Sequence, residues 1–192
     1  MPSIVWVKDE GAEYAHVEVS GGRLTAVGTA VGGGPVPYRL EYELMTGPRY
    51  VTAALAVRSE GAGWTRSLDL RRGADGAWSI GADASGALEG AEPGGDPSLL
   101  DGALDCDLGL SPLTNSMPVL RHAMLGGGDP VDFVMAWVSV PHLAVLPDAQ
   151  RYTPLGGGVV RYASEGFRAD IVFGSEGLVA AYPGLARQVT AS

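Results

Sequence analysis

The sequence predicts a single all-β domain over residues 1–192, with one short helix. Three observations predict it. Short runs of alternating apolar and polar residues recur along the chain, and turn pairs such as Gly21-Gly22, Gly47-Pro48 and Asp75-Gly76 close them. The 29 glycines are about twice the usual share of roughly 7% and have no collagen-like period, so they read as turn punctuation. Only one stretch, Leu104 to Leu125, suits a helix, and strand-like segments flank it on both sides. Strands this short and this closely spaced, roughly 13 of them, imply a barrel, sandwich or roll, with the helix as the plug of a curled sheet.

Ile4 to Lys8 reads as the first strand and Tyr14 to Val19 as the second; Gly21-Gly22 then turns the chain back into Leu24 to Val31. Val36 to Met45 alternates most cleanly. Val36, Tyr38, Leu40, Tyr42 and Leu44 share one face, and Arg39, Glu41 and Glu43 share the other. In Tyr50 to Val57 the predicted apolar face is Val51, Ala53, Leu55 and Val57, opposite Thr52, Ala54 and Ala56. Trp64 to Arg71 and Ala77 to Ile80 form a hairpin about Asp75-Gly76. Gly81 to Gly102, rich in Gly, Ala, Pro and acidic residues, reads as a surface loop with a short strand near Leu88.

Ala103 to Leu108 is a short strand leading into the helix. Asn115 or Ser116 can cap that helix, which places Pro118 in the first turn, where a missing N–H costs little. Met117, Leu120, Ala123 and Met124 fall on one helical face, and Gly126-Gly127-Gly128 provides the stop. Val131 to Val140 is apolar on both faces, so it reads as a strand covered on both sides, by the helix and by another element or another subunit. Leu143 to Leu146, Arg151 to Leu155, Val159 to Ala163, Phe167 to Phe173 and Leu178 to Ala181 complete the set, with a turn at Pro147-Asp148 between the first two.

Twenty-two carboxylates against 13 basic residues give a net charge of −9, which disfavours nucleic acid and anionic membrane surfaces as partners. The single cysteine, Cys106, excludes an intrachain disulfide. The N-terminus has no basic region followed by an apolar core, and no apolar run is long enough for a transmembrane segment. A cytoplasmic location is therefore expected.

No catalytic signature is present: no GxSxG elbow, no phosphate-binding glycine loop and no HExxH. His16, His122 and His142 are scattered and fit structural or surface roles, and neither a cofactor nor a metal is expected. Asp105 and Asp107, two apart on a strand, point away from Cys106 and would raise its pKa, making it a poor nucleophile. Arg121 lies on a helix expected to be enclosed, and a buried guanidinium needs partners that Asp105 or Asp107 can supply.

The string Asp105 to Arg121, DCDLGLSPLTNSMPVLR, resembles the D-x-D-L-x-x-S-P-x-T-N-x-x-P-x-x-R core of a bacterial family described as putative glycolipid-binding. Further landmarks follow in order. They are Trp6, Gly11 and Glu13; Tyr38 and Tyr42; Trp64-Thr65-Arg66; Asp75-Gly76-Ala77-Trp78; Gln150-Arg151-Tyr152-Thr153; and Gly177-Leu178-Val179 with Tyr182-Pro183-Gly184 and Arg187. The resemblance implies a spiral β-roll, a long, mostly antiparallel sheet of roughly 13–15 strands around a single central helix. It also implies a homodimer, a likeness of shape to periplasmic lipoprotein carriers, and a lipid or glycolipid as partner.

On that reading the ligand-binding candidates are Asp107, Asn115, Arg121, Gln150 and Tyr152 as polar groups, with Leu120, Met135 and Trp137 as apolar ones. The same apolar residues can instead fill a solid core. Two alternatives stand beside the binding module. One is a structural or regulatory homodimer through Val131 to Val140; the other is an enzyme with a polar pocket around Asp105, Asp107 and Arg121.

Overall fold

Alternation decides the N-terminal half. A computed structural model, which describes residues 3–189, places β1 (Ser3–Lys8), β2 (Gly11–Ser20), β3 (Arg23–Gly32), β4 (Tyr38–Thr46), β5 (Thr52–Gly61), β6 (Trp64–Arg72) and β7 (Trp78–Gly86) side by side in chain order. In β4 the expected faces hold: Tyr38, Leu40, Tyr42 and Leu44 are buried and Arg39, Glu41 and Glu43 are exposed. Aromatic rings on this inner face cover glycines on the paired strand. Tyr42 lies across from Gly28 and Tyr38 across from Gly32, and a Cβ on either glycine would strike the ring at 2.3 and 2.2 Å respectively.

The second half runs β8 (Asp105–Leu108), the helix α1 (Ser116–Arg121), β9 (Val131–Val138), β10 (Val145–Gly156), β11 (Val159–Ser164), β12 (Phe167–Phe173), β13 (Val179–Tyr182) and β14 (Ala186–Gln188). The last strand returns to pair antiparallel with the first, Trp6 opposite Gln188. The result is one open sheet of 14 strands in the order β7-β6-β5-β4-β3-β2-β1-β14-β13-β12-β11-β10-β9-β8. Every neighbouring pair is antiparallel except β8 with β9.

The sheet curls until one edge is tucked inside the other half. β8 is buried along its whole length. Its Asp105 carboxylate meets α1, while the Cys106 backbone N–H donates to Thr52 Oγ1 of β5 at 2.9 Å on the opposite side. The Ala103 carbonyl, just before β8, accepts from Trp78 Nε1 and Arg72 Nε, both at 3.1 Å. α1 sits between two cores: Met117 packs with the residues of β1 to β8, and Val119 packs with Met135, Tyr152, Tyr162 and Ile171.

Several expectations are corrected. The helix stops after six residues, at Arg121, because Ala123 adopts a left-handed φ of 49°; a separate 3-10 turn, Met124–Gly126, takes in the first of the three glycines. The anticipated helical face is therefore broken: Met117 and Met124 are buried but Ala123 is exposed. In β5, Thr52 rather than Val51 turns inward, because the pairing with β4 shifts register between Met45 and Thr46.

β7 runs on to Gly86, taking up the start of the expected loop, and Leu88 lies outside any strand. Pro147-Asp148 is no turn but lies within the first half of β10. Pairing with β11 begins only at Arg151, so the missing N–H of Pro147 breaks no second strand ladder. β14, three residues long, is too short to show alternation in sequence. In β9 only Met135, Ala136 and Val138 are buried, with Trp137 half-buried, and Ala136 and Val138 are covered by the chain's own first core, with no second subunit needed.

Candidate functional site

Three buried carboxylates organise the interior. Asp105 accepts from both ends of the Arg121 guanidinium, Nη1 at 2.7 Å and Nη2 in a second short bond, and both side chains are almost wholly enclosed. The guanidinium also lies over the Phe133 ring, 5.7 Å from its centroid. Glu13 of β2 accepts from Lys8 Nζ at 2.5 Å, Tyr42 Oη at 2.9 Å and Ser111 Oγ at 2.6 Å. Asp107 differs from both. Thr114 Oγ1 donates to it at 2.9 Å and Gln150 Nε2 at 2.7 Å, and both donors are neutral.

Gln150 Nε2 also donates to Asp148 at 2.8 Å, and Tyr152 Oη donates to the Gln150 amide oxygen at 3.3 Å. Asn115 Nδ2 in turn donates to Tyr152 Oη at 2.8 Å. Burial pushes the Asp107 carboxyl above its ordinary range; the Gln150 and Thr114 hydrogen bonds oppose this, and the neighbouring charges of Asp148 and Asp105 reinforce it.

Asp107, Ser111 and Asn115 form the polar side of a cavity of about 340 Å³. Its wall is aromatic, with Trp137 from β9, Tyr162 from β11, Phe167 from β12 and Tyr182 from β13. The last three rings form one panel, with centroids 5.9 to 6.3 Å apart. Leu110 and Leu185 line both this cavity and a neighbouring recess of about 290 Å³ that reaches Lys8 and Tyr38. Leu110 is half-exposed and holds a left-handed φ of 62°, an unfavourable conformation for a branched side chain.

A family model described as putative glycolipid-binding matches residues 3–188, nearly the whole chain. The chain belongs to that family. It is also similar to a DUF1089 family protein of known crystal structure from Pseudomonas aeruginosa, with a TM-score of 0.71 and 25% identity over 92% of each chain. Comparison with curated proteins finds no match.

In this family member the candidates read from sequence fall into three groups. Asp107, Asn115 and Trp137 line the cavity. Gln150 and Tyr152 stand behind it and hold Asp107 and Asn115 in place. Leu120, Arg121 and Met135 lie outside it: Leu120 packs over Gly177, Arg121 is spent on Asp105, and Met135 belongs to the second core. Tyr162, Phe167 and Tyr182 were not anticipated, since each arrives from a different late strand.

His16 lies on the surface with Ser3 and Tyr14, and His142 Nε2 sits 2.8 Å from the Glu89 carbonyl oxygen. Burial pushes the Cys106 thiol up to about 12, and the two flanking aspartates add to the rise. Among the described residues no group of three or more His, Cys, Asp or Glu side chains is placed to hold a metal, and no helix is long and apolar enough to cross a membrane.

Asp107 makes stability depend on pH in a definite sense. Its folded pKa lies above its ordinary value of 3.8, so the native state holds the proton more tightly than the unfolded chain does. The contribution is fully present below that ordinary value and is lost as pH rises through the raised folded pKa. In Asp107→Asn the amide can donate to Thr114 Oγ1. Melting temperatures of both proteins, measured from about pH 4 to about pH 8, should show the variant gaining on the native protein as pH rises.

Proposed function

We propose that the chain is a non-catalytic binding module that holds the polar head of a glycolipid in the cavity beside Asp107. The carrying observation is the combination of aromatic wall and buried hydrogen-bonding groups in one cavity. Aromatic faces suit the apolar C–H faces of a sugar ring, while Asp107, Asn115 and Ser111 suit its hydroxyls. The acyl portion leaves at the rim formed by Leu110 and Leu185. Family membership supports the same ligand class.

Mass spectrometry of an organic-solvent extract of the natively purified protein tests this, and a stoichiometric glycolipid is the expected result. Leu110→Asn relieves the left-handed strain, because asparagine tolerates that conformation, and puts an amide at the mouth. The variant should melt no lower than the native protein and retain less lipid. Equal retention would place the ligand elsewhere.

A second copy of the chain is the partner we read from the outer face of β1 to β3. There Val5, Val7, Tyr14, Val27 and Val31 are all exposed, and register brings Val5 beside Tyr14 and sets Ala12 between Val7 and Val31. Sedimentation velocity should give a dimer that Tyr14→Glu dissociates; a monomeric native protein would exclude this reading.

A further inference from the structure

The three buried carboxylates are not equivalent, and the odd one faces the cavity. Asp105 has Arg121 and Glu13 has Lys8, whereas Asp107 is held by two neutral donors. Neither cation is free to serve it, since each is already engaged. Among the described residues that line the cavity Asp107 is the single charged one, and none is a lysine, arginine or histidine.

A buried carboxylate without counter-charge is unfavourable, and nearby Asp148, which shares Gln150 with it, deepens the negative potential. The other wall is aromatic, Trp137 with Tyr162, Phe167 and Tyr182, and the negative quadrupole of such rings attracts a cation more strongly than a neutral hydroxyl. Both walls ask for the same sign of charge, and the overall charge of −9 draws cations toward the protein.

We propose that the cavity takes a ligand carrying a positively charged amino group, seated on the Asp107 carboxylate and against the aromatic panel. The inference rests on the headgroup-binding reading above and names the chemistry of that head. An amino-sugar head and a simple alkylammonium head share it.

Isothermal titration of the full chain with three octyl-chain probes tests the proposal. They are octyl glucoside, which is neutral, octyl 2-amino-2-deoxyglucoside, which is protonated at neutral pH, and octyltrimethylammonium. The amino glucoside should bind about tenfold more tightly than the neutral one, as expected when a charge-assisted bond replaces a neutral one. In Asp107→Asn that advantage should vanish.

If octyltrimethylammonium matches the amino glucoside, the cationic chemistry stands and the sugar is dispensable; if it binds far more weakly, the head is an amino sugar. Equal binding of both glucosides to the native protein would overturn the proposal while leaving the headgroup reading intact. Binding of none of the three would sink both. The native protein decides between these outcomes even if the variant does not fold.

Discussion

Replacing Arg121 by methionine is expected to cost about 3–5 kcal/mol and to lower the melting temperature by roughly 6–20 °C. The change leaves Asp105 in a site with about 1% side-chain exposure and without its ion-pair partner. It also exposes no new route for water, since methionine fills much of the same volume. Asp105, whose carboxyl burial already pushes up, can take a proton in the variant, so the deficit should shrink as pH falls. The double variant Arg121→Met, Asp105→Leu should recover most of the loss, because a buried ion pair exchanged for apolar side chains is often close to neutral. Urea titrations of the native protein, both single variants and the double variant close a cycle. A coupling below about 1 kcal/mol would mean that the pair is solvated in a way its burial does not suggest.

Sequence narrowed the partner of Arg121 to Asp105 or Asp107, and the structure selects Asp105. Arg121 and Asp105 lie 16 residues apart in the densest string of the chain, and a guanidinium on an enclosed helix has few alternatives to a nearby strand carboxylate. β4 was equally legible, since the alternation of Tyr38 to Leu44 is itself the burial pattern, whereas β10, the longest strand, was hidden by the turn-like pair Pro147-Asp148. What escaped depends on long-range placement. Tyr162, Phe167 and Tyr182 become one wall because β11, β12 and β13 are neighbours in the sheet, which no local pattern reports.

The two-sided apolarity of β9 overstated its cover, which is double only toward the C-terminal end of the strand, and the covering partner there is this chain's own first core, reached by curling the sheet past one edge. Leu120 misled for a related reason. Helical spacing placed it beside Met117, but the helix ends one residue later, and the Leu120 side chain lies over the turn at Gly177. The bulge that turns Thr52 inward is a property of the pairing with β4, so a period of two counted along β5 misses it.

Glu13 joins this fold to the cavity, and its removal is the second large effect expected. Glu13→Leu leaves the Lys8 ammonium, the Tyr42 hydroxyl and the Ser111 hydroxyl without their shared acceptor, in a site where Lys8 has 7% side-chain exposure. Breaking such a pair from one side costs about 3–5 kcal/mol. Glu13→Gln keeps an acceptor for Tyr42 and Ser111 and should lose less. The consequence reaches beyond stability because Ser111 lines the cavity beside Leu110. With Ser111 released, the turn whose Ser111 N–H donates to the Leu108 carbonyl at 3.1 Å loses its tether to β2. Amide hydrogen exchange at Ser111 should therefore quicken in Glu13→Leu by more than at β4, and ligand retention should fall in step. Uniform acceleration across both segments would show that Glu13 supports the fold as a whole and not the cavity's rim.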